Sequence, residues 1–368
     1  MSLIIGIPKE HIPGETRVAM SPNVASKLVN KGFSLCIEGG AGLEAGYHDD
    51  QYRAAGVEIV DRARALACDL VATVRKPSLE DVAAMKAGAV WMGLLEACDS
   101  SDEVLQALFR AQVRPLAMER IPRISRAQAM DVLSSQANIA GYRAVIEAAA
   151  RYGRFFPLMM TAAGSVKPAR VVVLGAGVAG LQAIATARRL GAEVYAYDVR
   201  PGVDEQIRAV GGKPIELDIG EDGAGEGGFA KELSDEAKAK QQALLADELA
   251  QAHVIITTAR IPCRPAPILV TESVVKRMRE GSVIVDLAAA EGGNCPLTEA
   301  DKVVRKHGVI LVGHTNYPAM MASDASDFYA HNIANFIEFL LVKENDEWVL
   351  KDLEEDEISR AALVKPST

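Results

Sequence analysis

Two doubly wound parallel-sheet α/β domains, joined by long helices with a cleft between them, are predicted by three features of this sequence. Short apolar runs alternate with helical periodicity from Leu3 to Met118, the alternation restarts more strongly at Arg170, and an alanine-rich stretch without internal proline, Ser134–Tyr152, separates the two blocks. Such alternation marks parallel strands wrapped by helices. At 368 residues the chain is too long for one core and suits two domains of roughly 100–200 residues.

In the first block the apolar runs Leu3–Ile7, Ser34–Ile37, Leu70–Val74, Ala89–Leu94 and Arg114–Met118 predict strands, with helical stretches such as Pro22–Lys31 and Glu103–Arg110 between them. Ser134–Tyr152 predicts the connecting helix. In the second block six runs predict strands: Val171–Leu174, Val194–Tyr197, Pro214–Leu217, Val254–Thr257, Val283–Leu287 and Val309–Val312. The stripe Ile333, Phe336, Ile337, Leu340 and Leu341 within Ala325–Lys343 predicts a helix that returns the chain to the first domain. The expected domains are therefore 1–134 with 327–368, and 135–326. Gly220–Gly228, with five glycines and three acids, predicts an exposed mobile loop, and the acidic Glu344–Glu357 stretch a solvated surface.

Composition narrows the functional classes. A formal net charge of −9 works against a large nucleic-acid surface, which needs concentrated Lys and Arg. The five cysteines are scattered without CxxC or Cys/His metal spacing, so no metal site is expected and they read as reduced thiols of a cytosolic protein. No stretch approaches the roughly 18–20 apolar residues that span a bilayer, so no direct membrane insertion is expected.

The segment Arg170-Val-Val-Val-Leu-Gly-Ala-Gly-Val-Ala-Gly places GxGxxG directly after a buried strand and at the start of a helix. Gly175 permits the tight turn, Gly177 lets the backbone approach a pyrophosphate, and Gly180 lets helix and strand pack closely, the arrangement of a Rossmann dinucleotide site. The pyrophosphate sits on the helix N-terminus. At the end of the next strand Asp198 supplies a carboxylate for the adenosine ribose hydroxyls, which favours NAD(H) over NADP(H). Arg200 pulls the other way, since an arginine near that position accommodates a 2′-phosphate. A glycine-rich turn without a ligand is the plain structural alternative.

Beyond this fingerprint, Ile5-Gly-Ile-Pro-Lys-Glu followed by Gly14-Glu-Thr-Arg-Val-Ala-Met-Ser-Pro resembles the start shared by alanine dehydrogenases and the NAD(H)-binding component of proton-translocating transhydrogenases. Pro122-Arg-Ile-Ser-Arg-Ala-Gln-Ala-Met-Asp, running on into Leu133-Ser-Ser-Gln-Ala-Asn-Ile-Ala-Gly-Tyr-Arg, resembles the segment that distinguishes the transhydrogenase branch. Thr161-Ala-Ala-Gly, Ile284-Val-Asp-Leu-Ala and Gly292-Gly-Asn-Cys-Pro extend the resemblance over nearly the whole chain.

The resemblance implies an NAD(P)+ transhydrogenase of the Si-specific, proton-translocating type. This chain would be its soluble NAD(H)-binding homodimer, cytoplasmic and peripheral to the inner membrane through its partners. One partner component would hold NADP(H), and another would span the membrane and couple hydride transfer to proton translocation. It implies that Arg123, Ile124, Ser125 and Arg126 line the NAD(H) site, that Gln128 reaches toward the NADP(H) component, and that Asp131 and Ser134 orient the nicotinamide end. Val178, Asp198, Val199, Arg200, Gly228, Gln241 and Arg260 fall at matching cofactor-contact positions. Read without the resemblance, Arg123, Gln128 and Asp131 are an ordinary polar face at a helix start. Direct hydride transfer between two nicotinamides releases no substrate proton, so the protein needs alignment rather than an acid or base.

Two departures from the family pattern stand out. Phe229 replaces a tyrosine at the loop tip, which preserves ring stacking and loses the phenol hydrogen bond. Arg260 replaces an apolar residue, as a cofactor contact or a surface change. Trp91, Cys98 and Cys295 read as packing, and His314 as structural or solvated. The rival enzyme reading is an alanine dehydrogenase-like amino-acid oxidoreductase, which would share Arg17. Arg75, Leu95 and Ala290 stand where such enzymes carry a lysine, a histidine and an aspartate, leaving no evident acid/base for imine chemistry. A non-catalytic NAD(H)-sensing module is the other alternative.

Overall fold

The computed structural model describes residues 3–99, 101–200, 202–217, 235–261, 263–345 and 347–366. The chain divides into two compact units, Met1–Gln136 with Pro318–Thr368, and Ala137–Tyr317. The helix Val132–Arg151 carries the chain from the first to the second.

In the first unit β1 (Ile4–Ile7), β2 (Ser34–Glu38), β3 (Glu58–Val60), β4 (Leu70–Arg75), β5 (Val90–Leu94) and β6 (Arg114–Ala117) form a parallel sheet of order β3-β2-β1-β4-β5-β6. Crossovers begin where local chemistry starts a helix. Ser21 caps Pro22–Asn30 by accepting the Val24 N–H, with proline in the first turn where its missing N–H costs nothing, and Asp102 caps Glu103–Arg110 in the same way. Ile5, Leu35, Leu70 and Val90 share one core with Tyr329, Ile333, Phe336 and Ile337 of the helix Ala322–Leu340. Each such side chain contributes about 1.5–3 kcal/mol on burial. The Tyr329 hydroxyl is satisfied by the Thr73 carbonyl at 2.8 Å.

The second unit opens with a hairpin, β7 (Met159–Thr161) with β8 (Gly164–Val166). Its sheet contains β9 (Arg170–Leu174), β10 (Glu193–Tyr197), β11 (Lys213–Pro214), β12 (Val254–Thr257), β13 (Val283–Asp286), β14 (Val303–Lys306) and β15 (Val309–Val312). The order is β11-β10-β9-β12-β13-β15-β14, parallel except for the edge strand β14. The direction of winding reverses between β9 and β12, and ligands of open α/β sheets bind outside the strand C-termini at such a point. Returning to the first unit, the chain forms a last hairpin, β16 (Leu341–Glu344) with β17 (Glu347–Leu350).

The fold class is the one expected, with corrections at the margins. The helix predicted over Ala325–Lys343 ends at Leu340, where β16 begins, and β3, β14 and both hairpins were not anticipated. The acidic 344–357 stretch is not only solvated surface, because Leu353 is buried and Trp348 stacks on Phe33 at 4.2 Å and donates to the Gly32 carbonyl. Cys36, Cys68 and Cys295 are buried free thiols, but Cys98 and Cys263 are each disulfide-bonded, against the expectation of five reduced thiols. Wide sequence spacing does not report spatial neighbours. Among the described residues no helix is long and apolar enough to cross a membrane.

Candidate functional site

In the second unit the three glycines of the fingerprint each answer a different constraint. Gly175 turns the chain off β9 at φ +93°, and a Cβ there would meet the Thr258 hydroxyl at 2.4 Å. Gly180 lies under the turn, where a Cβ would sit 1.9 Å from the Gly175 carbonyl oxygen. Gly177 is different: its φ of −75° suits any residue and a Cβ would meet nothing within 4 Å. It faces open space at the N-cap of the helix Val178–Arg189, which has no side-chain cap. The first-turn N–H groups therefore lack intrahelical partners and carry the positive end of the helix dipole. These groups fit a dinucleotide pyrophosphate, because a side chain at Gly177 is the one obstruction the sequence omits without structural need.

Asp198, at the end of β10, is anchored to this turn. Its Oδ2 accepts the Ala176 N–H at 2.7 Å, and Arg200 closes on it through its backbone N–H, Nε and Nη2 at 2.8–2.9 Å. Burial alone would raise the carboxyl, but the Arg200 and Ala176 hydrogen bonds outweigh it and hold Asp198 below the usual carboxylate range. A ribose diol reaching Asp198 thus competes with Arg200 rather than meeting an idle carboxylate. Val178 and Val199 are exposed beside this turn. Arg260 is exposed and ion-paired with Glu291. Gln241 lies on the helix Asp235–Ala250, while Gly228, Phe229 and the predicted loop Gly220–Gly228 lie outside the described residues.

Two wall residues of this turn were missed by sequence reasoning. The Thr258 hydroxyl bonds the carbonyls of Leu174 and Gly175 at 3.1 and 3.2 Å. Asn294, fully buried, clasps the Ala259 backbone on both sides and also donates to the Pro267 carbonyl. The segment Gly292-Gly-Asn-Cys was the only signal, and it pointed to the family rather than to this role.

In the first unit the predicted nicotinamide loop is a 3-10 turn, Ser125–Met130, leading into the helix Val132–Arg151. Ala127 and Met130 anchor it in the core, and Asn332 donates to the Ala129 carbonyl at 2.9 Å. Asp131 is the hinge of the polar group, since its carboxylate accepts the Ser134 N–H and hydroxyl at 2.9 and 2.6 Å and lies 3.9 Å from Arg123 Nε. Arg123, Asp131 and Ser134 are thus brought together. Gln128 is exposed, and no hydrogen bond engages its amide among the described residues. Ile124 is half-buried and Ser125 exposed, whereas Arg126 turns away to Asp356 and Glu357 at 2.7–3.0 Å and so pins the turn to the C-terminal segment.

Arg17 settles beneath this unit's surface. Its Nε and Nη2 are held by Glu15 at 2.7 and 2.5 Å and its Nη1 by Gln136 at 2.9 Å, leaving the side chain 2% exposed. Arg75 pairs with Glu96 and Leu95 is buried. Glu10 accepts the N–H groups of Val74 and Arg75, yet burial dominates and, with the Glu15 charge, pushes its carboxyl up to about 7. Because that value exceeds the ordinary 4.5, Glu10 favours the folded state at low pH and loses that advantage as pH rises from 4.5 to about 7. Relative to Glu10→Gln, the parent should lose up to about 3 kcal/mol of stability across that window in denaturant titrations. A pH-independent difference would show that Glu10 does not titrate there. In the second unit Ala290 offers no polar side-chain atom, and His314 lies 3.6 Å from Glu147 and edge-on to Tyr317.

The chain matches the family descriptions Alanine dehydrogenase/PNT, N-terminal domain, over residues 6–140 and Alanine dehydrogenase/PNT, C-terminal domain, over residues 144–367. It is 49% identical to an NAD(P) transhydrogenase subunit alpha chain of Rhodospirillum rubrum, across 98% of this chain and 96% of that one. Its structure superposes on a transhydrogenase from Sinorhizobium meliloti with a TM-score of 0.82 at 44% identity, covering 91% of this chain and 93% of that one. An L-alanine dehydrogenase structure aligns with a TM-score of 0.76 at 27% identity, covering 91% and 89%. The chain therefore belongs to the alanine dehydrogenase/PNT family, and within it to the NAD(P) transhydrogenase alpha subunits.

Proposed function

We propose that this chain is the NAD(H)-binding component of a proton-translocating transhydrogenase, passing hydride directly between its NADH and NADP+ held by a partner component. A membrane-spanning component would couple that transfer to proton movement and would hold this chain, as a homodimer, at the cytoplasmic face of the inner membrane. The observation that carries the reading is the uncapped helix N-terminus fronted by Gly177, with Asp198 tied to the same turn. Bound NADH supplies the hydride from its nicotinamide C4. The chain holds the pyrophosphate on the first-turn N–H groups and the adenosine ribose at Asp198, with Val178, Val199, Arg200, Gly228, Phe229, Gln241 and Arg260 around the adenosine half. Arg123, Ile124, Ser125, Asp131 and Ser134 hold the nicotinamide end, Arg126 fixes the shape of their turn, and Gln128 faces the NADP(H) component.

The alanine dehydrogenase reading fails on Arg17, whose guanidinium donors are taken by Glu15 and Gln136 and cannot receive a substrate carboxylate. A sensing module would bind NADH without giving up hydride. Stopped-flow transfer from NADH to an NADP+ analogue on the partner component tests both the reaction and the role of Gln128. Gln128→Asn, shorter by one methylene, should slow transfer by on the order of a hundredfold while NADH titration stays unchanged. No transfer with the parent chain would favour the sensing module, and an unchanged rate in the variant would remove Gln128 from the site.

A further inference from the structure

We propose that a second cavity, at the opposite edge of the second unit's sheet from the glycine turn, is a binding site for a small phosphorylated solute. The cavity encloses about 470 Å³ and lies at the strand N-termini. Arg170 opens β9, Glu193 opens β10, His253 immediately precedes β12 and Arg279 lies ahead of β13, with Arg154 and Lys167 on the segment leading into β9. The glycine turn lies at the other end of β9, about 16 Å away at 3.3 Å per residue, so the two sites can be filled together.

The charges around this cavity are unbalanced. Its one lining carboxylate, Glu193, is already engaged by Lys213 and by the Tyr195 hydroxyl. Arg170 is spent on Glu248 and on the face of Tyr195, 3.7 Å from the ring centroid, although its Nε is buried without a partner. Arg154, Lys167 and Arg279 have no carboxylate partner among the described residues, and all three are exposed at the rim. Three uncompensated cations facing one concavity favour a multiply charged anion.

His253 adds an independent argument for an acceptor. Its Nδ1 accepts the Arg170 backbone N–H at 2.8 Å, so a neutral ring carries its proton on Nε2. Burial first, then Arg279, Arg154 and Arg170, keep this ring below the usual histidine range, so the neutral form prevails. Yet Nε2 lies 3.1 Å from Arg279 Nη1, which is also a donor. Two donors side by side bond nothing between themselves, and an oxyanion accepting from both resolves the conflict. The volume exceeds that of phosphate alone and falls in the range of small-molecule sites, and Phe155, Val166 and Pro168 offer an apolar wall for the body of the solute.

Isothermal titration of the full chain with inorganic phosphate and with phenyl phosphate, in low-salt chloride buffer, tests the assignment. Each should bind once per chain, phenyl phosphate roughly tenfold more tightly because its ring covers apolar wall. Arg279→Ala and Lys167→Ala, both at exposed positions, should each weaken binding about tenfold without altering thermal stability. Gly177→Ala should leave it unchanged. The proposal is overturned if neither probe binds, if the two rim variants bind like the parent, or if Gly177→Ala removes the signal, which would locate it at the glycine turn. Binding that fades as protein concentration rises would overturn it too, by showing that a second copy fills the cavity.

Discussion

Gly177→Ala should weaken NADH binding on the order of a hundredfold, about 2.7 kcal/mol, while leaving the fold within about 1 kcal/mol of the parent. The methyl group meets no protein atom within 4 Å and the backbone is already in a region open to alanine, so the only thing it can obstruct is a ligand. Gly180→Ala should behave in the opposite sense. Its Cβ would lie 1.9 Å from the Gly175 carbonyl oxygen, a backbone atom that cannot rotate away, so the helix must shift off the strand. The loss should be about 3 kcal/mol, or roughly 6–12 °C in Tm, with NADH affinity falling alongside because the turn itself moves. Thermal melts paired with NADH titration separate the two glycines. Parent-like affinity in Gly177→Ala would show that the turn carries no pyrophosphate.

Glu15→Ala should cost about 3–5 kcal/mol, because it strands the Arg17 guanidinium in a place with almost no access to water. The pair is buried on both sides, at 2% and 0% exposure, and burial that would strip the Arg17 proton is outweighed by the Glu15 contacts. Replacing both partners together, Glu15→Leu with Arg17→Met, should recover most of the loss, since no buried charge is then left over. Urea unfolding of the three variants provides the comparison. A Glu15→Ala cost below about 1 kcal/mol would mean that water or another carboxylate reaches Arg17.

Much of the fold was legible because central strands declare themselves without help from distant residues. Val254–Thr257 and Val309–Val312 stand as unbroken apolar runs in the sequence and as strands with the same bounds in the structure. Glu58–Val60 and Val303–Lys306 are short edge strands with exposed and half-buried residues mixed, and half-solvated edges carry little apolar signal. In the hairpin Met159–Val166 nearly every residue is exposed, and Trp348 finds its partner Phe33 from the far end of the chain. The glycine turn was legible for a related reason, since its requirements are local to one short run of consecutive residues. What could not be read was who else claims the charged groups. Arg126 and Arg200 stood out as ligand contacts, yet one is bound to Asp356 and the other encloses the carboxylate expected to receive the ribose. Thr258 and Asn294 act through hydrogen bonds to backbone atoms up to 84 residues away, which no local pattern announces.

The first unit draws its core from both ends of the chain, and this sets the order in which the molecule matures on the ribosome. Ile5, Leu35 and Leu70 are synthesised early, but Tyr329, Ile333 and Phe336, which close over them, arrive only after the whole of Ala137–Tyr317 has been made. At 5–20 residues per second that interval is roughly ten to forty seconds. During it the second unit has everything it needs to fold, while the N-terminal sheet holds an uncovered apolar face. The later half of the sequence therefore matures first, and the earlier half is the segment most in need of a holding chaperone during translation.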